Sequence, residues 1–314
     1  MTVALALLLL GSLAATVAPR LLARASWPER EPVLGLWVWQ CLVAAVLLCC
    51  VLAMALLAAG YWPAVRDGLF APAPHAAVVD AYALTTAGPW AGVLALLLAA
   101  GGVWTASMLL REVVAAAVRR RRRRAELLAR CPRLPGEAGG SHERVVVLES
   151  ERPDAYWLPG SPHQLVVTTG ALRRLSGRQL DAVLAHERGH ARARHDWLLH
   201  CSAALAAGFP RVPLFAAFGR QVPRLVELAA DDVASRRVGR LETALALVGL
   251  NEDRGAFAGV AAERSGQVAP RVHRLLAPAT RLTAGRRLRV TALAALVPAL
   301  PLLVAFAPGL RALG

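Results

Sequence analysis

The chain has 314 residues, of which 56% are hydrophobic and only 18% are charged. Soluble globular proteins carry about 25% charged residues, so this composition excludes an ordinary pair of soluble domains. The net charge is +15, and every one of the 36 basic residues is an arginine. In a chain with long apolar segments, such an excess indicates arginine-rich loops on the inner side of a membrane. No direct nucleic acid binding is expected.

Four apolar segments have the length of a membrane helix, for which about 20 apolar residues are needed. They are residues 2–18, 34–60, 89–110 and 290–310. Three prolines in the last segment predict a kinked or irregular helix there: Pro298, Pro301 and Pro308. The sequence therefore predicts about four transmembrane helices, three before a polar middle region and one after it.

The arginines that flank these segments predict the orientation of the chain. The loops after the first and third segments and the loop before the fourth are rich in arginine, with six consecutive arginines at 119–124. The loop between the second and third segments holds only Arg66. Because positive loops stay on the cytoplasmic side, we expect a multi-pass protein of the cell membrane with its N-terminus outside. The expected domains are a membrane domain over 1–118, a cytoplasmic domain over 119–285 and a C-terminal transmembrane helix over 286–314.

The polar middle region has the pattern of a folded domain with strands and helices. Runs rich in β-forming residues at 143–150, 155–160 and 163–170 predict a small antiparallel sheet, with a turn at Pro159-Gly160-Ser161-Pro162. Ser176 then opens the capping-box pattern S-x-x-Q, and apolar residues follow at helical spacing. A helix is therefore expected from about Gly177 to Arg194.

This predicted helix carries the sequence H-E-R-G-H at 186–190. His186 and His190 are one helical turn apart on the same face, where two imidazoles can bind one Zn²⁺. Glu187 then lies beside the open coordination position and can take a proton from the attacking water. The pattern predicts a zinc peptidase site in which Glu187 is the general base.

A catalytic zinc site needs a third protein ligand. Position 196 is Asp196 rather than histidine, so the three-histidine pattern is not met. The alternative is a carboxylate from a later helix, predicted at 226–238, on which Glu227 and Asp231 share a face. Glu227 fits as the third ligand, and Asp231 fits as the outer carboxylate that accepts the N–H of a metal-bound imidazole.

The remaining polar candidates are expected to play no part in the chemistry. Asp232 is expected to pair with Arg236 or Arg237 at the surface. Three further histidines could hydrogen-bond an oxyanion, but we expect them to be buried in the core or solvated: His195, His200 and His273.

These motifs resemble those of integral-membrane zinc peptidases. The strings LAHERGH and ELAAD are similar to the H-E-x-x-H and E-x-x-A-D motifs of membrane gluzincins such as HtpX and the CaaX prenyl peptidases. The run PGSPHQLVVTTGALRRLSGRQLDAVLAHERGH and the membrane layout resemble the BlaR/MecR antirepressor family most closely. The resemblance implies an α-helical membrane protein with a cytoplasmic α+β zincin (gluzincin) domain. It also implies zinc ligands at His186, His190 and Glu227, Glu187 as base, and Asp231 supporting an imidazole.

One departure from the BlaR/MecR pattern is expected to matter. The β-lactam sensors carry a large extracellular penicillin-binding domain after the last helix, whereas only four residues follow Leu310. The chain is therefore expected to lack that sensor domain.

Three functions follow from the resemblance. The first is a membrane zinc endopeptidase that cleaves cytoplasmic or membrane proteins, among them a BlaI-type transcriptional repressor. The second is an HtpX-like peptidase for the quality control of membrane proteins. The third is a non-catalytic signal transducer with a gluzincin-fold interaction domain, against which Glu187 counts because a structural zinc needs no base. For the peptidases, the strand around 163–169 is expected to hold an extended protein substrate by edge pairing.

The apolar segment 197–219 is expected not to cross the bilayer. His190 and Glu227 must meet at one metal, so the chain between them must cross an even number of times. Only 36 residues separate these two ligands, and two crossings need about forty. We expect a bent pair of short helices on the inner leaflet, divided at Pro210 and Pro213.

Overall fold

The computed structural model describes residues 2–69, 80–84, 88–130, 143–158, 163–251, 261–278 and 281–313. The turn predicted at 159–162 lies outside these residues. In chain order the elements are α1 (Thr2–Ala23), α2 (Trp27–Arg30), α3 (Pro32–Tyr61), α4 (Pro63–Leu69), α5 (Pro89–Arg130), β1 (Glu143–Leu148), β2 (Ala155–Leu158), β3 (His163–Thr168), α6 (Thr169–Arg174), α7 (Gly177–Arg192), α8 (His195–Gly208), α9 (Pro213–Val238), α10 (Arg240–Asn251), α11 (Ala261–Leu276) and α12 (Ala284–Leu313).

The chain folds into two compact units. The first comprises Met1–Leu110, Cys201–Val222 and Leu282–Gly314, and the second comprises Arg111–His200 and Pro223–Arg281. Among the described residues, the regular elements of the first unit are all helices, and the three strands belong to the second.

Four helices are long and apolar enough to cross a membrane, namely α1, α3, α5 and α12. The predicted number of spans is thereby confirmed for the described residues, and the protein is a multi-pass membrane protein. Helix α5 continues past the predicted end at Leu110 as far as Arg130, because arginine is a good helix former. Helix α12 is unbroken across its three prolines. The expected irregular segment is therefore wrong, because proline is tolerated in membrane helices, whereas the alternative of a kink stays a prediction.

Helices α8 and α9 are separated by residues 209–212, where Pro210 and Pro213 predicted a break. Within the first unit, the indole N–H of Trp104 donates to the Gly208 carbonyl at 3.0 Å. The ring of Phe218 lies 6.4 Å from that of Trp39. Helix α9 has 26 residues and is not short as expected. Neither helix is among the candidate spans of the described residues, and contact of this segment with lipid stays a prediction.

The second unit contains a three-stranded sheet in the order β1-β3-β2. Strand β2 pairs with β3 antiparallel, as predicted, but β1 pairs with β3 in parallel. Hydrophobic periodicity identifies a strand without giving its direction, so the antiparallel prediction for β1 is wrong. Strand β3 is central, and its Leu165 and Val166 are completely buried. The expected pairing of a substrate with the edge of β3 is therefore wrong, because both of its edges are occupied.

Helix α7 begins with the predicted capping box. Ser176 Oγ accepts the backbone N–H of Gln179 at 3.3 Å, and Gln179 Oε1 accepts the backbone N–H of Ser176 at 3.0 Å. The helix ends at Arg192, two residues before the predicted end, because Arg194 adopts the left-handed region with φ of 50°. The apolar face of α7 packs in a core with residues of β2, β3, α6 and α10. This packing leaves the opposite face of α7 for the polar motif.

Candidate metal centre

Helices α7 and α9 bring together three side chains that can bind a metal. The Nε2 atoms of His186 and His190 are 3.0 Å apart. Glu227 places Oε2 at 3.6 Å from His186 Nε2 and Oε1 at 3.6 Å from His190 Nε2. One ligand atom of each residue lies within 4.8 Å of the others. Bonds of 2.0–2.2 Å in a tetrahedron separate ligand atoms by about 3.4 Å, so the donor set fits Zn²⁺.

Small residues where the two helices meet allow this approach. A Cβ added to Gly189, between the histidines, would lie 3.4 Å from Val233 Cβ and 3.6 Å from Ala230 Cα. The backbones of α7 and α9 are thus nearly in van der Waals contact. Glu227 and Asp231, on either side of Ala230, can then reach the imidazole of His186.

Asp231 contacts the His186 imidazole at Nδ1, the ring nitrogen that does not face the other two candidate ligands. Its Oδ1 lies 3.1 Å from His186 Nδ1, and the residue is only 2% exposed. Because Nε2 faces the other ligands, we assign the proton to Nδ1, which then donates to Asp231. Burial lowers the pKa of His186, but its hydrogen bonds with Asp231 and Glu227 outweigh this effect and raise the pKa. The same carboxylates create a negative field that attracts a divalent cation.

Arg271 of α11 joins the two carboxylates, and sequence reasoning did not find it. Its Nε donates to Asp231 Oδ2 at 2.8 Å and its Nη2 to Asp231 Oδ1 at 2.7 Å. Its Nη1 lies 2.8 Å from Glu227 Oε2. Burial alone would raise the pKa of Asp231, but hydrogen bonds from Arg271 and His186 lower it below its ordinary value. Arg271 is 40 residues from Asp231 in the chain, so no local motif reveals the pairing.

Glu187 stands outside the ligand group and is held by strand β2. The backbone N–H of Trp157 donates to Glu187 Oε2 at 3.1 Å. This N–H therefore points toward helix α7 and not toward β3. Burial raises the pKa of Glu187, and the nearby His186 and the Trp157 hydrogen bond offset part of the rise. A carboxylate with a raised pKa is suited to general-base work near neutral pH.

One expectation for the surrounding residues is wrong. Asp232 pairs with Arg274, whose Nη1 lies 2.8 Å from Oδ1, and not with Arg236 or Arg237. His195 is buried, which is one of the two expected environments, and its Nδ1 lies 3.1 Å from Nδ1 of His190. The other two histidines remain apart from the ligand group: His200 lines the adjoining cavity, and His273 is exposed.

A cavity of about 1320 Å³ opens over this group within the second unit. Tyr156 and Trp157 of β2 line one part of it, and His186, Glu187 and Glu227 line another. Pockets for small molecules are typically about 300–1,000 Å³. The cavity is therefore large enough for an extended peptide.

Two imidazoles and a carboxylate around one point, with a further carboxylate beside them, match the donor pattern of catalytic zinc sites in metallopeptidases. Comparison with known proteins agrees, since the model of peptidase family M48 matches residues 116–258. This range contains α7 and the part of α9 that carries Glu227 and Asp231. It also contains the three strands of the second unit, which is therefore similar in sequence to peptidase family M48 over this part of the chain.

The chain is also similar to proteins described as "Protease HtpX homolog". It is 33% identical over 94 residues to that of Acidiphilium cryptum, which is 29% of this chain and 33% of the relative. It is 30% identical over 121 residues to that of Ralstonia nicotianae, or 36% of this chain and 42% of the relative. It is 40% identical over 78 residues to that of Thermodesulfovibrio yellowstonii, or 24% of this chain and 27% of the relative.

The matched part of the chain spans between 27% and 42% of the length of these curated relatives. No solved structure matches the chain significantly. The matches support the HtpX alternative, and they do not support the BlaR/MecR assignment specifically.

Proposed function

We propose that the protein is a membrane-embedded zinc endopeptidase of the HtpX kind, which cleaves membrane and cytoplasmic proteins. The observation that carries this proposal is the convergence of His186, His190 and Glu227 with Glu187 outside the ligand set. A purely structural zinc has four protein ligands and needs no base. Here three ligands and a neighbouring carboxylate match a catalytic site.

The residues of the chain divide the work of peptide hydrolysis. His186, His190 and Glu227 would hold Zn²⁺, which when bound polarises a carbonyl and activates water. Glu187 takes a proton from the water whose oxygen attacks the scissile carbonyl carbon. It returns the proton to the amine nitrogen as the C–N bond breaks. The N–H of Trp157 holds the Glu187 carboxylate in place for both transfers.

The shape of the cavity supports a polypeptide substrate. Strand β2 is an edge strand, and Ala155, Tyr156 and Trp157 line the cavity next to Glu187. An extended chain lying along β2 would bring a peptide bond beside the general base. Strand β2 thus takes the role that the sequence suggested for β3.

Two alternatives are less well supported. The similarity to HtpX homologs favours a general membrane peptidase. No observation supports a peptidase dedicated to a BlaI-type repressor. A non-catalytic transducer would have no use for Glu187. The arginine distribution supports placing the N-terminus outside and the peptidase site in the cytoplasm, at the cell membrane.

Metal content and proteolysis of the purified full chain test the proposal together. We expect one zinc per chain and cleavage of a denatured membrane protein in preference to its folded form. The double variant His186→Ala/His190→Ala should lose both zinc and cleavage. The matched control His273→Ala removes an exposed imidazole and should keep both. Stoichiometric zinc in the double variant, or cleavage that survives a chelator, would overturn the proposal.

A further inference from the structure

We propose that His195 is a positioning residue, a neutral imidazole that accepts the N–H of His190 and orients this ligand toward the metal. The inference rests on the zinc site of the proposed function. It adds to that site a residue that the H-E-x-x-H motif does not include. His195 touches His190 and none of the reacting atoms, so its role is indirect.

The contact between the two rings is close and directed. The Nδ1 atoms of His195 and His190 are 3.1 Å apart, within hydrogen-bond distance. The ring centroids are 5.0 Å apart and the planes are nearly perpendicular, at 83°. His195 is only 6% exposed. The arrangement is therefore a nitrogen-to-nitrogen hydrogen bond and not a ring stack.

The backbone between the two residues is shaped to make this contact. Helix α7 ends at Arg192, and Arg194 adopts φ of 50°, a left-handed conformation that is unfavourable for a residue with a Cβ. Helix α8 then begins at His195 itself. The sharp reversal returns His195 to the side of α7 that carries His190, so the packing holds the turn in spite of its cost.

The direction of the hydrogen bond follows from the ligand geometry. His190 turns Nε2 toward His186 and Glu227, so Nε2 must be unprotonated to bind a metal. A neutral imidazole then carries its proton on Nδ1 and donates it. His195 must accept with an unprotonated Nδ1, and its own proton lies on Nε2. The pair therefore fixes the tautomers of both rings.

The two metal-binding imidazoles have different supports. His186 donates to Asp231, a carboxylate that also binds Arg271, whereas His190 donates to an uncharged ring. A carboxylate makes the imidazole a stronger ligand, and a neutral acceptor chiefly fixes its direction. Losing either outer partner is expected to lower metal affinity by about 10–100-fold.

Two amide substitutions separate this role from simple space filling. In His195→Asn, the carbonyl oxygen stands at the δ position, where Nδ1 of the imidazole accepts. In His195→Gln, the amide group stands one bond further out, near the Nε2 position. Both remove the ring and keep a polar side chain. Only the asparagine variant keeps an acceptor for His190.

The experiment measures zinc affinity of the purified full chain by competition with a chelator, together with thermal unfolding of the zinc-free protein. We expect His195→Gln to bind zinc about 10–100-fold more weakly than wild type and His195→Asn to stay within about threefold. Equal affinities in the two variants, at equal zinc-free stability, would overturn the inference. A difference in zinc affinity that is matched by a difference in the unfolding temperatures of the two zinc-free variants would also overturn it. A wild-type chain without stoichiometric zinc would instead overturn the proposed function beneath it.

Discussion

The backbone N–H of Trp157 donates a hydrogen bond to Oε2 of Glu187 across 30 positions of the chain. The proposed base is thus tied to the edge strand that borders the cavity. The backbone of β2 would therefore position both a substrate lying along it and the Glu187 carboxylate that moves the proton. Their relative position is set by the backbone, which is less free to move than a side chain.

Replacing Glu187 by glutamine should separate chemistry from metal binding. Glutamine nearly preserves the shape but cannot take a proton, so we expect cleavage to fall by about 10²–10⁴-fold while zinc stays bound. Cleavage rate and zinc content measured on the same sample check this. The matched control is Glu151→Gln, at an exposed glutamate whose carboxylate pairs with Arg173. Near wild-type cleavage by the Glu187 variant would place the base elsewhere.

Two neighbouring aspartates should respond differently to the same change. Asp231 contacts His186 and Arg271, whereas Asp232 pairs with Arg274. We expect Asp231→Asn to weaken zinc binding by about 10–100-fold, because a neutral amide supports the imidazole less well. Asp232→Asn should leave the affinity within about threefold. A chelator competition series compares the two, and equal losses would mean that Asp231 acts only through stability.

The sequence predicts those parts of the site that depend on local spacing. His186, Glu187 and His190 follow from the helical repeat, and the start of α7 follows from Ser176. Glu227 and Asp231 could be predicted because a zinc site needs a third ligand and an outer carboxylate, and these two residues share one helix face. Geometry brings all of these residues together, while their roles in binding zinc and in catalysis stay predictions.

The parts that the sequence did not predict depend on distant segments. Arg271 meets Asp231 across 40 residues, and β1 pairs in parallel with β3 and not with β2, its neighbour in the sequence. His195 lies close to the motif in sequence, yet it contacts His190 only through the left-handed turn at Arg194. A single backbone angle of this kind is not visible in hydrophobic periodicity.

Helices α8 and α9 should tolerate no side chain at Gly219. A Cβ there would lie 2.5 Å from Ala206 Cβ, so Gly219→Ala should separate the helices and destabilise the fold by about 1–3 kcal/mol. The control Gly102→Ala adds the same methyl group where nothing lies within 4 Å. Thermal unfolding in detergent checks the difference. An unchanged midpoint for Gly219→Ala would contradict the close approach of α8 and α9.

The turn between α8 and α9 should stay on the side of the membrane that carries the peptidase site. Arg211 is exposed in this turn, so Arg211→Cys in a chain without other cysteines should resist an impermeant thiol reagent in intact cells. Asp67→Cys lies in the segment expected outside and serves as the labelled control. Both cysteines should react once the cells are opened. Labelling of Arg211→Cys from outside would contradict the assignment of His190 and Glu227 to one metal.

The capping box at Ser176 sets the helical phase of everything that follows in α7. Each residue of an α-helix turns the next by about 100°. Removing one residue between Ser176 and His186 would therefore swing both imidazoles away from Glu227, although the string H-E-R-G-H would remain intact. The number of residues between Ser176 and His186 is thus as important for the site as the identity of its ligands. Insertions and deletions in this stretch should be as harmful as the loss of a histidine.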